Sequence, residues 1–192
     1  MSEVKSVGFT MDQIYPSKPL TRLLFKAPLL TWRLGLGPLV GKIILLLTTR
    51  GRKSGLPRHA MLEYYQHNGH KYAVSAFGEK SQWYRNIEAD PRVTIQTAEG
   101  TEPATAIRVT DDEELLEIVE VFYAHDAPLT SWYLNSAGIE HNPESILANK
   151  DRLYFVRFES GDSSAPSGLD VDLAWIWPLA LLALLLLPRR RR

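Results

Sequence analysis

No cysteine occurs among the 192 residues, which excludes disulfides, cysteine-ligated zinc and thiol catalysis. Net charge is missing too. The 22 Lys and Arg are balanced by 22 Asp and Glu, whereas a nucleic-acid binder ordinarily carries a basic surplus. The five histidines, His59, His67, His70, His125 and His141, have no paired ligand spacing, so no metal site is expected and a surface role is expected for most of them. There is no Walker loop and no Ser-His-Asp arrangement. The amino-terminal stretch has acids and no early apolar run, so no export signal is read there and a cytosolic domain is expected.

What is present is unevenly placed. The length suits one domain with a hydrophobic core. From Lys18 to Lys42 every charged residue is basic (Lys18, Arg22, Lys26, Arg33, Lys42), while acids gather in DDEELLEIVE at 111–120. The most informative run is TTRGRKSGLPR at 48–58, which sets Arg50, Arg52, Lys53 and Arg58 around two glycines, directly after the apolar Ile43–Leu47. Glycine lets the backbone turn and approach a ligand, and Arg and Lys supply charge-assisted hydrogen bonds. The run therefore reads as a loop for phosphate or carboxylate groups, or as an exposed basic hairpin turn.

Residues 1–17 lack periodicity and read as a loose leader. Residues 20–34 place apolar groups at helical spacing and end at Gly35–Pro38. Strands are expected at 43–49, 58–66 and 71–76, with Asn68-Gly69 as a hairpin turn. A short helix is expected at 80–89, closed by Asp90-Pro91. Strands at 92–97 and 104–109 follow across Glu99-Gly100, then helices at 111–124 and 128–136 and a closing strand at 152–158. Six strands with short helices suit a small, mainly β (α+β) barrel.

The segments LVGKIILLLTTRGRKSGLPR at 39–58 and SAFGEKSQWYRNIEADPRVTIQ at 75–96 resemble the deazaflavin-dependent nitroreductase family, over roughly residues 20–158. The resemblance implies a six-stranded split β-barrel and the cofactor F420, with hydride passed from the reduced deazaflavin to a quinone-like or nitroaromatic acceptor. It implies that Arg52, Lys53 and Arg58 contact the anionic phosphate and polyglutamate tail, with Ser54 and Gly55 as neutral donors and Lys80 and Ser81 reaching the same tail. Trp83 is implied to wall the deazaflavin beside Tyr84, or both aromatics pack the helix onto the barrel. Ser75 or Ala76 would approach the ring from a strand end. Tyr133, with Tyr123 behind it, is the candidate phenol donor to the acceptor oxygen. An FMN-dependent oxidoreductase of the same fold, and a non-catalytic cofactor- or lipid-binding module, are the alternatives. A homodimer is left open.

The barrel domain is thus assigned to 18–159, a linker (GDSSAPSG) to 160–168 and a hydrophobic helix to 169–192. Leu173–Leu187 holds no charge and is followed by Pro188 and Arg189–Arg192. At fifteen residues it would be ~22 Å long as a helix, short of the ~30 Å hydrocarbon core. An anchor in the interface is expected, on the cytosolic face, with a membrane-spanning segment as the alternative and the basic 18–33 stretch as a second surface contact.

Overall fold

The computed structural model of the chain describes residues 29–186. The expected leader and most of the first helix, with Lys18, Arg22 and Lys26, lie outside them, as do Arg189–Arg192. The described chain opens with α1 (Leu29–Arg33) and α2 (Gly37–Val40). Gly35 ends α1 with φ +80, and Gly37 accommodates the Trp32 ring, which a Cβ there would meet at 2.5 Å.

Six strands follow: β1 (Ile44–Arg50), β2 (Pro57–His67), β3 (His70–Val74), β4 (Arg92–Thr97), β5 (Gly100–Arg108) and β6 (Phe155–Ser160). They close into a barrel in the order β1-β2-β3-β6-β5-β4, antiparallel throughout. Closure leaves no unpaired sheet edge. β1 is flanked by β2 and β4, and Leu45 through Thr49 are fully buried. Burial on both faces is why its apolar run is continuous instead of alternating.

Two cores result. Leu45, Leu47, Tyr64, Ile95, Val156 and Phe158 fill the barrel. The outer residues Tyr72 and Phe155 pack under α4 (Asp112–His125), α5 (Ala127–Ser136) and α6 (Pro143–Ala148), with Leu115, Phe122, Tyr133 and Ile146. α3 (Gln82–Ala89), preceded by a 3-10 turn at Gly78–Lys80, bridges β3 to β4.

Several boundaries differ from expectation for identifiable reasons. β5 starts at Gly100 and runs through Pro103, which would ordinarily end a strand. Its pairing with β6 begins only at Ala104, so Pro103 needs no ladder partner on that side. β6 starts at Phe155, since Lys150–Arg152 forms a 3-10 turn. α6 was not anticipated, although Asn142-Pro143 signals it: Asn142 Oδ1 caps Ser145 N at 2.8 Å and proline occupies the first turn.

Residues 160–168 are strapped to the barrel. Gly161 N donates to Pro103 O (3.1 Å), Thr94 Oγ1 to Pro166 O (2.5 Å), and Gln96 exchanges two bonds with the Leu169 backbone (2.7 and 3.1 Å). Arg50 bridges Asp90 (3.0 Å) and Ser164 O (3.3 Å). The Asp90 carboxyl is held below its ordinary value of 3.8 by hydrogen bonds from Arg92 and then Arg50, against the opposing cost of burial. A depressed carboxyl stabilises the fold at neutral pH and loses that contribution as pH falls through its folded value. The thermal midpoint should therefore drop between about pH 5 and about pH 3, and less steeply in Asp90→Asn, as read by calorimetry.

The chain closes with α7 (Ile176–Leu186). The helix expected from residue 169 begins only at Ile176, because 169–175 is irregular and bonded to the barrel and α1. Among the described residues no helix is long and apolar enough to cross a membrane.

Candidate functional site

The basic run forms the β1–β2 turn. Gly51 N donates to Leu56 O at 2.9 Å and Gly55 N to Gly51 O at 2.7 Å. Gly55 takes φ +68, and no atom lies within 4 Å of where its Cβ would be. Glycine is thus required by the backbone, and its outer side is open to a ligand. Residues 52–58 are exposed. Arg50 belongs to a different cluster, since its guanidinium is taken by Asp90. Arg52, Lys53 and Arg58 have no carboxylate partner among the described residues: Arg52 bonds only amide oxygens, and Arg58 bonds the Ser54 hydroxyl at 3.3 Å. Three neighbouring cations without an internal counterion form a surface suited to a multiply charged anion.

Asn86 fixes this loop, a role that the sequence reading missed. Its side chain is 4% exposed. Its Oδ1 accepts from Arg52 N (3.3 Å) and Arg52 Nη1 (3.1 Å), while its Nδ2 donates to Thr49 Oγ1 (3.0 Å). Gln82 Oε1, one turn earlier on α3, takes Arg52 Nη2 at 3.0 Å. The signal was present in WYRN, where an amide in the middle of a short helix faces the barrel. Asn86→Ala should weaken binding of an anionic ligand at the loop about tenfold and lower stability by ~1–3 kcal/mol through lost buried hydrogen bonds. Titration alongside thermal unfolding checks both.

The other predicted residues are distributed around this loop. Ser75 is fully buried. Its hydroxyl lies 2.8 Å from Ser81 Oγ and 2.9 Å from Gly78 O. The two hydroxyls tie the end of β3 to the start of α3 and do not point outward. Lys80 is exposed at the end of the 3-10 turn. Tyr84 is 2% exposed and core-packed, edge-on to Tyr154 at 5.1 Å, with its phenol pKa pushed up by burial. Trp83 is half-buried, packed on the barrel core and edge-on to Tyr84 at 5.9 Å.

The two tyrosines of the helical cap are separated in role. Tyr123 stacks on His141 at 3.9 Å. Tyr133 is 4% exposed, and its oxygen accepts the Tyr154 N–H at 2.9 Å. No described residue accepts the phenol's own hydrogen. Burial raises its pKa, which keeps it protonated. Tyr133 lines a small apolar cavity of about 40 Å³ between β2, β3 and α5, with Tyr65, Ala76, Leu129, Trp132 and Phe155. Ala76, the residue one beyond Ser75, is therefore the one of that pair that faces a cavity. Of the histidines, His59 is half-buried against Thr48 Oγ1 at 3.0 Å. Among the described residues no His, Asp or Glu cluster could hold a metal.

Residues 34–128 match the F420H(2)-dependent quinone reductase family. Over this stretch, about half of its length, the chain is similar to this family. Coenzyme F420 is accordingly its cofactor, and the enzyme class is oxidoreductase. The family's description names a quinone reductase. The acid-free Arg52, Lys53 and Arg58 and the open side of Gly55 fit the anionic groups of such a cofactor.

The chain is also similar to solved structures. With an F420-H2 dependent reductase, FDR-A, it shares 24% identity at a TM-score of 0.47, covering 62% of this chain and 95% of that one. With a structure described as a domain-swapped dimer it shares 20% identity at 0.46, covering 69% and 100%. With HutZ, the heme storage protein from Vibrio cholerae, it shares 16% at 0.46, covering 71% and 91%.

Proposed function

We propose that this protein transfers hydride from F420H2 to a quinone-like acceptor, and that it does so at the cytosolic face of a membrane. The observation that carries the reading is the loop of three cations with no carboxylate partner, fastened to α3 through Asn86. In this reading Arg52, Lys53 and Arg58 hold the cofactor's phosphate and carboxylate groups, with Ser54 and the Gly55 backbone as neutral donors. Lys80 adds charge from the start of α3. The bound deazaflavin supplies the hydride. Val74, Ala76, Leu129 and Trp132 form an apolar wall around a space of about 40 Å³, too small to enclose an aromatic ring, so in this reading the acceptor lies against that wall. Reduction of a quinone takes one hydride and one proton, so negative charge develops on an acceptor oxygen. Tyr133, kept protonated by burial and lining the cavity, is the group assigned to meet it with a hydrogen bond. A nitro oxygen would accept the same bond, which keeps nitroaromatics as a second acceptor class. Tyr123, stacked on His141, is assigned a packing role.

Membrane placement suits a lipid-soluble acceptor and the apolar Leu173–Leu187 with Arg189–Arg192 behind it. The test uses the full chain, because residues 161–173 are bonded to the barrel and α1. Fluorescence titration should give tight F420 binding and little FMN binding. Oxidation of F420H2 should follow with a naphthoquinone carrying an isoprenoid tail, faster than with a nitroaromatic. Preference for FMN would move the chain to the flavin branch of the fold. F420 binding without turnover of any acceptor would leave a binding module.

A further inference from the structure

We infer that the apolar cavity under α5 is a subsite for a short alkyl branch on the acceptor ring, so that the preferred substrate is an uncharged quinone carrying a methyl group. This rests on the reductase reading above and adds the part of the acceptor that the cavity recognises.

Two periodicities build the cavity. Val74, the last residue of β3, and Ala76 are two residues apart, and residues so spaced along an extended chain share a face. Val74 pairs with Phe155 on β6, whose ring joins the same floor. On α5, Leu129, Trp132 and Tyr133 are three and four residues apart, which places them on one helical face, and they close the space from the other side.

Close packing would ordinarily fill such a space. Here the surrounding rings hold one another in place. Phe122 meets Tyr65 edge-on at 4.7 Å and Phe155 at 5.1 Å, and Tyr133 meets Phe155 at 5.8 Å. Tyr133 is tied further by the Tyr154 N–H at 2.9 Å. Asp126 fixes the start of α5, where its Oδ1 accepts Leu129 N at 2.9 Å.

Size selects the group that enters. An apolar cavity of about 150 Å³ takes up benzene, whereas this one has about 40 Å³. In proportion it holds roughly one or two carbon atoms, a methyl group and not a ring. Water is a poor occupant, because it needs about two to four polar partners and the wall is mostly apolar. Position then selects the molecule. Tyr133, assigned to the acceptor oxygen, belongs to the same wall. A ring that brings one oxygen to this phenol carries its neighbouring substituent to the cavity. Charge narrows the choice further. Glu63 and Asp126 border the cavity and no lysine or arginine does, so an anionic substituent would meet like charge. Leu129, at 42% exposed, leaves only one side-chain layer between the cavity and solvent.

The test follows F420H2 oxidation on the full chain with naphthoquinone and its methyl, ethyl and sulfonate derivatives. The parent is compared with Ala76→Val, which fills the cavity, and Val74→Ala, which enlarges it. Ratios of kcat/KM between two quinones are compared across variants, so the electronic effect of each substituent cancels. One methyl group in a fitted apolar pocket distinguishes substrates ~10–200-fold. The methyl-to-unsubstituted ratio should therefore fall about tenfold in Ala76→Val, and the ethyl-to-methyl ratio should rise about tenfold in Val74→Ala. The sulfonate, although the easier to reduce, should be the poorest acceptor of the parent. Xenon, which needs neither cofactor nor acceptor, should shift the Leu129 methyl NMR signals of the parent and leave those of Ala76→Val unmoved. Ratios that stay the same in both variants would overturn the inference while leaving the reductase reading intact. So would a sulfonate that reacts as fast as the methyl quinone, or a parent that takes up no xenon. Oxidation of F420H2 by none of the quinones would overturn both.

Discussion

Alanine at both Arg52 and Lys53 is expected to reduce F420 affinity about 100-fold while leaving the thermal midpoint within a degree or two. Each charge-assisted hydrogen bond to an anion contributes ~1.5–3 kcal/mol, and two at the lower end correspond to about two powers of ten. Both side chains are exposed and neither neutralises a carboxylate among the described residues, so the fold does not depend on their charge. Buried Asn86 is not orphaned in this variant, because its Oδ1 still accepts the backbone N–H of residue 52. Affinity of the parent should also fall with added salt, and that slope should flatten in the double variant. Arg50→Ala is the contrasting control. Its guanidinium holds Asp90 and Ser164, so it should cost stability and spare affinity. If the Arg52/Lys53 variant binds F420 like the parent, the loop is a basic turn and nothing more. Fluorescence titration decides it.

The parts legible in the sequence were those whose local chemistry admits one solution. Asn68-Gly69 must turn with positive φ at both residues, and they do so at 48 and 79. β1 is legible because a strand buried on both faces reads as an unbroken apolar run. What stayed hidden depends on neighbours distant in sequence. Composition marks GDSSAPSG as a flexible linker, yet Thr94 and Gln96 on β4 supply partners that fix it in place. The sequence also could not show that Arg50 faces Asp90 while Arg52 faces Asn86, because alternate side chains of that turn join different clusters. Likewise Ser75 and Ala76 are adjacent in the chain but face opposite ways, one into a buried hydroxyl pair and the other into the apolar cavity.

Tyr133→Phe is expected to lower kcat of quinone reduction about 100-fold with little change in KM, since one hydrogen-bond donor aimed at a developing oxyanion contributes ~10²–10³. Two consequences of the deletion must be separated. The phenol oxygen accepts the Tyr154 N–H at 2.9 Å in a buried setting, so its loss leaves that donor unsatisfied and costs ~1–3 kcal/mol of stability. A purely structural role predicts that loss alone, and kcat measured well below the variant's own midpoint would then recover. A role in the reaction predicts that the kcat deficit persists at every temperature where the variant is folded. Burial lifts the phenol pKa, so Tyr133 is better suited to donating a hydrogen bond to the developing oxyanion than to giving up its proton outright. The parent's kcat should accordingly show no ionisation of this group between about pH 6 and about pH 9, well below the ordinary tyrosine value. Because Ala76 and Trp132 share the cavity wall with Tyr133, Ala76→Leu should raise KM for the quinone while leaving F420 affinity unchanged. That split between kcat at Tyr133 and KM at Ala76 is what an acceptor site predicts, and equal loss of F420 binding in both variants would place the acceptor elsewhere.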